Sequence, residues 1–297
     1  MKYLFRVTLV LFFIAVIVLT GADAFAQDKV FDWRDEEQDK RDVWREEYDH
    51  HPTIELHYGL PAFGLADFNR DFQDVGVADI RIGHIGYRDT DNSIIHSFGN
   101  YFQFSSFSRD LAGGNENTVS NDVNVYLLRF ALQNKDGYGY SFGKSALIPY
   151  TSVGYNITRI DPSDYTSAYP ANETDPLLTF GDKFRFGTSA ESGLSLRLTD
   201  MIAVNAGYVR SVVFPRWLFW KYSVSSLIEM GGLGMIGEFV DVIAESSPVA
   251  GPIVNFLLKS GWSYTIYELR QEDMNWPFAT AEPFTIDSFK AGVSFVF

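Results

Sequence analysis

The sequence predicts an all-β membrane protein: a closed antiparallel transmembrane β-barrel of eight strands, with a helical insertion before the last strand. Three observations carry this reading. Segments near or above the ~9–11 residues that cross a bilayer at a tilt alternate apolar and polar side chains with period two. The connections between them alternate short and long. The chain also opens on an export signal and closes, in "KAGVSFVF" (290–297), on an aromatic residue with nothing after it.

The signal comes first. Lys2 and Arg6 precede an almost wholly apolar run over 7–19, and Ala24-Phe25-Ala26 has the small-x-small form of a cleavage site. The run is shorter than the ~20 residues of a spanning helix. Cleavage after Ala26 is therefore expected, which makes 1–26 a signal peptide. The sequence holds no cysteine, which excludes disulfides, thiolate metal sites and a cysteine-linked lipid anchor. An exported chain without such staples must be held by its own core or by a closed sheet. A formal net charge of −14 argues against nucleic acid as an electrostatic partner.

Residues 27–52 carry ten acids and five bases among scattered apolar residues, the composition of a solvated acidic extension. A partner-binding arm anchored by Trp33 and Trp44 is the sharper alternative. His50 and His51 are adjacent, which is not a metal-coordination spacing.

From residue 53 onward the pattern becomes that of a barrel (53–297). Strands are expected at 53–60, 78–88, 94–107, 123–133, 146–159, 183–198, 201–213 and 285–297. The connections 89–93 and 198–200 are short, while 62–74, 109–122 and 161–182 are long and polar; 134–145 reads as a tight turn with extended flanks. With both ends on one side, every short turn falls on that side and every long loop on the other, as in outer-membrane barrels.

Segment 183–198 shows which face meets lipid. Phe184, Phe186, Ala190, Leu194, Leu196 and Leu198 share one face with Thr188 and Ser192, and Lys183, Arg185, Glu191 and Arg197 share the other. A one-residue slip would exchange the faces. A cation near the bilayer midplane costs about 2–4 kcal/mol, so the charged face is expected inside. The same logic turns Glu55, His57, Arg81, Arg129 and Lys290 inward. In the last strand Phe289, Ala291, Val293, Phe295 and Phe297 face outward.

That final strand, with Phe295 and Phe297 at its end, resembles the C-terminal signature of bacterial outer-membrane barrels. Residues 53–297 resemble the small eight-stranded barrels of the OmpA and opacity-protein kind. The resemblance implies an outer-membrane location in a Gram-negative-type bacterium, lipid as a partner, and recognition of the tail by barrel-insertion machinery. It implies no catalytic residue, cofactor or metal.

The inward set Glu55, His57, Arg81, Arg129, Glu191, Arg197 and Lys290 is expected to pair as a polar network filling a narrow barrel. Three functions follow in order. The first is a non-enzymatic barrel with a structural or surface-interaction role. The second is a narrow channel or transporter for small or hydrophobic solutes. The third is a lipid-modifying hydrolase using His57 oriented by Glu55, for which no serine is marked as nucleophile. His96 and Ser97 are adjacent and so point to opposite faces; His96 fits the interfacial belt.

A minimal barrel would lack residues 214–283. "FPRWLFWKY" (214–222) has the composition of an interfacial girdle. Glu238, Asp241 and Glu245 recur three and four apart and line one helix face, and Pro248 and Pro252 head a second apolar run. The first reading is a pair of amphipathic helices on the outer leaflet or across the barrel mouth. A docking surface for a protein or a hydrophobic ligand is the second. The third uses 216–224 and the alternating "SYTIYELRQ" as two more strands, giving ten.

Overall fold

The computed structural model describes residues 49–90, 94–113, 122–162, 165, 167, 175–181 and 183–297. The signal segment, Trp33, Trp44 and most of the acidic extension lie outside the described residues. Eight strands run β1 (Asp49–Leu65), β2 (Gly76–Thr90), β3 (Ile94–Ser108), β4 (Tyr126–Phe142), β5 (Ser145–Asp161), β6 (Phe184–Arg197), β7 (Ile202–Val213) and β8 (Phe284–Val296). Each pairs antiparallel with its sequence neighbours, and β8 closes on β1. Helices α1 (Phe219–Ser246) and α2 (Gly251–Glu272) lie between β7 and β8. Residues 216–224 and 262–270, the two candidate extra strands, run into and through these helices, so the barrel has eight strands and not ten. The alternation in "SYTIYELRQ" is overridden by helical spacing that buries Trp262, Ile266 and Arg270 on one side.

Following cross-strand partners from His51 through Ile85, Gly99, Lys135, Ser152, Glu191, Val209 and Ser288 leads back to β1 at Pro61, ten residues further on. That stagger tilts the strands and leaves an interior that side chains can fill. The amide of Phe297 donates to the Pro52 carbonyl, continuing the closing seam to the last residue.

Several strands outrun their expected ends. β1 begins at Asp49, inside what reads as acidic extension, and continues to Leu65. Residues 134–142 belong to β4, and only Gly143-Lys144 make the turn, with Gly143 in the left-handed region at φ 69°. The reason is common to both. A strand is held by its neighbours' hydrogen bonds, whereas the apolar alternation is imposed only where its outer face meets hydrocarbon, and that of 134–142 lies partly against the helices.

The exterior is apolar and the interior polar, the arrangement of a transmembrane barrel. Ile54, Leu56, Tyr58, Leu60, Ile80, Ile82, Phe102, Phe104, Leu132, Tyr155, Ile157 and Phe289 are exposed around the outside. Their sequence neighbours Glu55, His57, Arg81, Gln103, Gln133, Asn156 and Lys290 are buried within.

The helices neither cap the mouth nor lie flat on a leaflet, which corrects the first reading of 214–283. They form a hairpin that packs lengthwise on the outside of the wall. Its root is the cluster of Val212, Phe214, Tyr222, Tyr267 and Met274 at the long-loop end of the barrel. Its tip reaches the opposite end, where Tyr140 Oη donates to the Val249 carbonyl (2.6 Å) two residues before β4 ends. Between these points α2 touches β4, β5, β6 and β7. Ile236, Val240, Trp262 and Ile266 fill the seam between α1 and α2.

Among the described residues no helix is long and apolar enough to cross a membrane. The hairpin fits beside the barrel because Lys259 and Arg270 of α2 turn to polar groups of the wall, while Phe219, Trp220, Val224, Leu227, Met230, Ile253 and Leu257 are exposed, Trp220 by 79 %.

Candidate functional sites in the barrel core and on its wall

The barrel interior is filled in three layers. At its middle, Glu55, Asp79 and Glu191 face Arg81, Lys135 and Lys290, three acids against three bases. Arg81 Nη2 donates to Glu191 Oε2 (2.6 Å), and Arg81 Nη1 lies 3.6 Å from Glu55 Oε2. Lys135 Nζ donates to Glu55 Oε1 (3.1 Å), and Lys290 Nζ to Asp79 Oδ2 (2.5 Å). Tyr150 Oη donates to Glu191 Oε1 (2.5 Å), and Ser294 Oγ to Glu55 Oε1 (2.9 Å). These bonds join residues from β1, β2, β4, β5, β6 and β8, so the ladder pins the register of most of the wall. Glu55 is 0 % and Arg81 1 % exposed, a depth at which each charge depends on its partner.

Of the residues singled out from sequence, Glu55, His57, Arg81, Glu191 and Lys290 meet in this layer. Arg129 stands apart: it donates to Thr158 Oγ1 (3.1 Å) and Ser211 Oγ (3.0 Å), with its guanidinium over the Phe107 ring. Arg197 lies toward the short-turn end, stacked over Tyr87 at 4.8 Å. Phe295 and Phe297 project outward. The set singled out from sequence leaves out Asp79, Lys135 and Tyr150, although strand parity already turns Tyr150 inward. Lys135 fell in a stretch read as a connection, and Asp79 sat at the edge of the strand with the weakest alternation.

Apolar layers close both ends. At the long-loop end Val77, Phe107, Val123, Val125, Leu127, Leu177, Phe180 and Phe284 pack with Phe63, Phe68 and Phe72, the rings of Phe63, Phe72 and Phe284 meeting at 5.6–5.8 Å. At the short-turn end Ile85, Tyr101 and Val296 form one cluster, and Ile95, Ala146 and Ile148 another.

Asp175 anchors the β5–β6 connection to the upper layer. It accepts hydrogen bonds from Ser167 Oγ (2.6 Å), Tyr165 Oη (2.7 Å) and the Leu177 amide (2.9 Å). Burial raises its pKa, and these donors outweigh burial to hold it below the usual carboxylate value. A depressed folded pKa stabilises the loop above the unfolded value and is lost as pH falls through the folded one. The protection factor of the Leu177 amide in hydrogen exchange is expected to hold at pH 7 and drop below about pH 4; in Asp175→Asn it should be low at both.

His57 does not assemble a hydrolytic triad. Its Nε2 lies 3.7 Å from Glu55 Oε2, and Ser294 donates to that carboxylate, so the acid and not the imidazole holds the hydroxyl. Gly292 leaves room for the ring: a Cβ there would lie 2.3 Å from His57 Cδ2.

A second polar cluster sits on the outer wall under the hairpin. His96 and Asp136 have the opposite parity from the inward Ser97 and Lys135, so both point out of the barrel. His96 Nε2 is 2.7 Å from Asp136 Oδ1, Lys259 Nζ of α2 donates to Asp136 Oδ2 (2.6 Å), and the His96 ring stacks on Tyr138 at 3.9 Å. Higher on the wall Arg270 of α2 bridges Glu229 of α1 (2.8 Å) and Thr188 Oγ1 (3.3 Å). Arg210 lies over the Tyr264 ring at 4.6 Å. The advance signs of this cluster were His96, at an outward position of its strand, and Asp136, in the flank of a stretch read as a turn.

No protein family and no curated protein matches the sequence. Among solved structures the chain is similar to Neisserial surface protein A, at 8 % identity and a TM-score of 0.38, over 83 % of this chain and 97 % of that one. It is also similar to Ail, the attachment invasion locus protein of Yersinia pestis, at 8 % identity and 0.29, over 84 % and 99 %. A third similarity is to the translocator domain of the autotransporter NalP from Neisseria meningitidis, at 11 % and 0.26, over 66 % and 59 %.

Proposed function

We propose that this protein is a non-conducting, non-enzymatic β-barrel of the outer membrane, exported by a cleaved signal, with a structural or surface-interaction role. The observation that carries the reading is the layered interior. A neutralised charge ladder lies between two apolar clusters, so a permeating ion would have to leave water twice and displace paired charges between. The long connections gather at one end of the barrel, the outer end in this reading, where loops are free to vary and to bind. The tail through Phe295 and Phe297 is then what the insertion machinery recognises. Planar-bilayer recording of the purified full-length protein tests the proposal: no stable unitary conductance is expected, and a reproducible open level would establish the channel reading instead.

A further inference from the structure

Between the hairpin and the wall, near the end that carries the short turns, lies a cavity of about 170 Å³ lined by His96, Phe98, Asp136, Val240, Asn255 and Lys259 among others. At roughly 30 Å³ per water it has room for a small polar group and not for a whole lipid. Its chemistry is mixed. Lys259 supplies N–H donors, Asp241 at the rim supplies a second carboxylate beside Asp136, and Phe98 and Val240 supply apolar surface. Asn255 is 2 % exposed, and its side-chain carbonyl oxygen has no hydrogen-bond partner. An unsatisfied buried acceptor is costly, so a donor that reaches this oxygen is bound with that cost recovered.

We propose that this cavity binds the headgroup of a zwitterionic phospholipid bearing a primary amine. Its ammonium donates to the Asn255 carbonyl and the Asp241 carboxylate, its phosphate lies by Lys259, and its acyl chains run along the hairpin's apolar face. The position agrees with this: the site opens on the outside of the barrel, where lipid and not water is the neighbour. The cavity lining holds no serine, threonine or cysteine to act as a nucleophile, and Asp136, held by His96, in turn holds the ammonium of Lys259 in place. The inference rests on the barrel standing in a bilayer and is independent of whether it conducts.

The test is native mass spectrometry of the full-length protein from vesicles of equal phosphatidylethanolamine, phosphatidylcholine and phosphatidylglycerol. Phosphatidylethanolamine should be retained at least tenfold over phosphatidylcholine, whose methylated amine has no N–H, and over phosphatidylglycerol, which has no amine. Asn255→Leu should abolish the preference. Should that variant fail to fold, Gly237→Leu fills the mouth of the cavity, since a Cβ at Gly237 meets nothing within 4 Å, and should abolish it too. Free phosphoethanolamine, titrated calorimetrically, should bind at least tenfold more weakly than the lipid; equal binding would mean that a soluble amine is the ligand and would overturn the lipid assignment. Equal retention of the three lipids, or a preference surviving both substitutions, would also overturn the proposal.

Discussion

Glu191→Leu is expected to lower the stability of the folded barrel by about 3–5 kcal/mol, the cost of leaving a buried charge without its partner. The guanidinium of Arg81 loses its shortest bond, and Tyr150 loses the acceptor of its hydroxyl. Both remain shut in the middle layer, sealed from water by the apolar clusters at either end. Urea unfolding from vesicles, followed by tryptophan fluorescence and by the heat-dependent gel shift of the folded form, would measure the loss. Three residues along the same strand, Leu194 is exposed on the outer face. Leu194→Met should stay within about 0.5 kcal/mol of the parent. Equal stability of the two variants would mean that the interior and exterior of β6 had been exchanged.

The second large effect is expected at Gly232. A Cβ there would lie 2.2 Å from Trp262 Cζ2, and the indole cannot swing aside freely because it is buried and its Nε1 donates to the Glu229 carbonyl (3.0 Å). Gly232→Leu should therefore force α1 from α2 at a cost of about 1–3 kcal/mol. Because Trp262 shares its cluster with Ile236, Val240 and Ile266, the seam should part along its length. Protease cleavage between 225 and 260 should become rapid in reconstituted vesicles while the barrel keeps its heat-dependent gel shift. Gly234→Leu is the control, since a Cβ at Gly234 meets nothing; it should cleave as slowly as the parent.

These two experiments divide what the sequence could and could not disclose. The facing of β6 was legible, because Glu191 and Phe186 sit on opposite parities and only one assignment keeps charge out of lipid. Loop parity placed the long connections together, and the helices were legible from acid spacing and prolines. Strand ends were not, since β1 starts beyond the stretch that alternates and the outer face of β4 past Leu132 lies against the hairpin, so neither has to present apolar residues to lipid. Nor was the wall beneath the hairpin. Asp136, His96 and Arg210 break the apolar exterior, and period-two logic alone could not say what covers them. Outward polar residues clustered on neighbouring strands were the sign that something must.

That covered patch makes the hairpin and the wall depend on each other. Before the hairpin docks, the outer surface of β3 and β4 presents a histidine and a carboxylate; a barrel inserted bare would drag both into oil. The hairpin, for its part, carries Lys259 and Arg270 and has no apolar stretch sufficient to enter a bilayer unaccompanied. Neither half is a viable guest of the membrane by itself. The helices precede the closing strand in the chain, so they can settle on the wall while the sheet is still open.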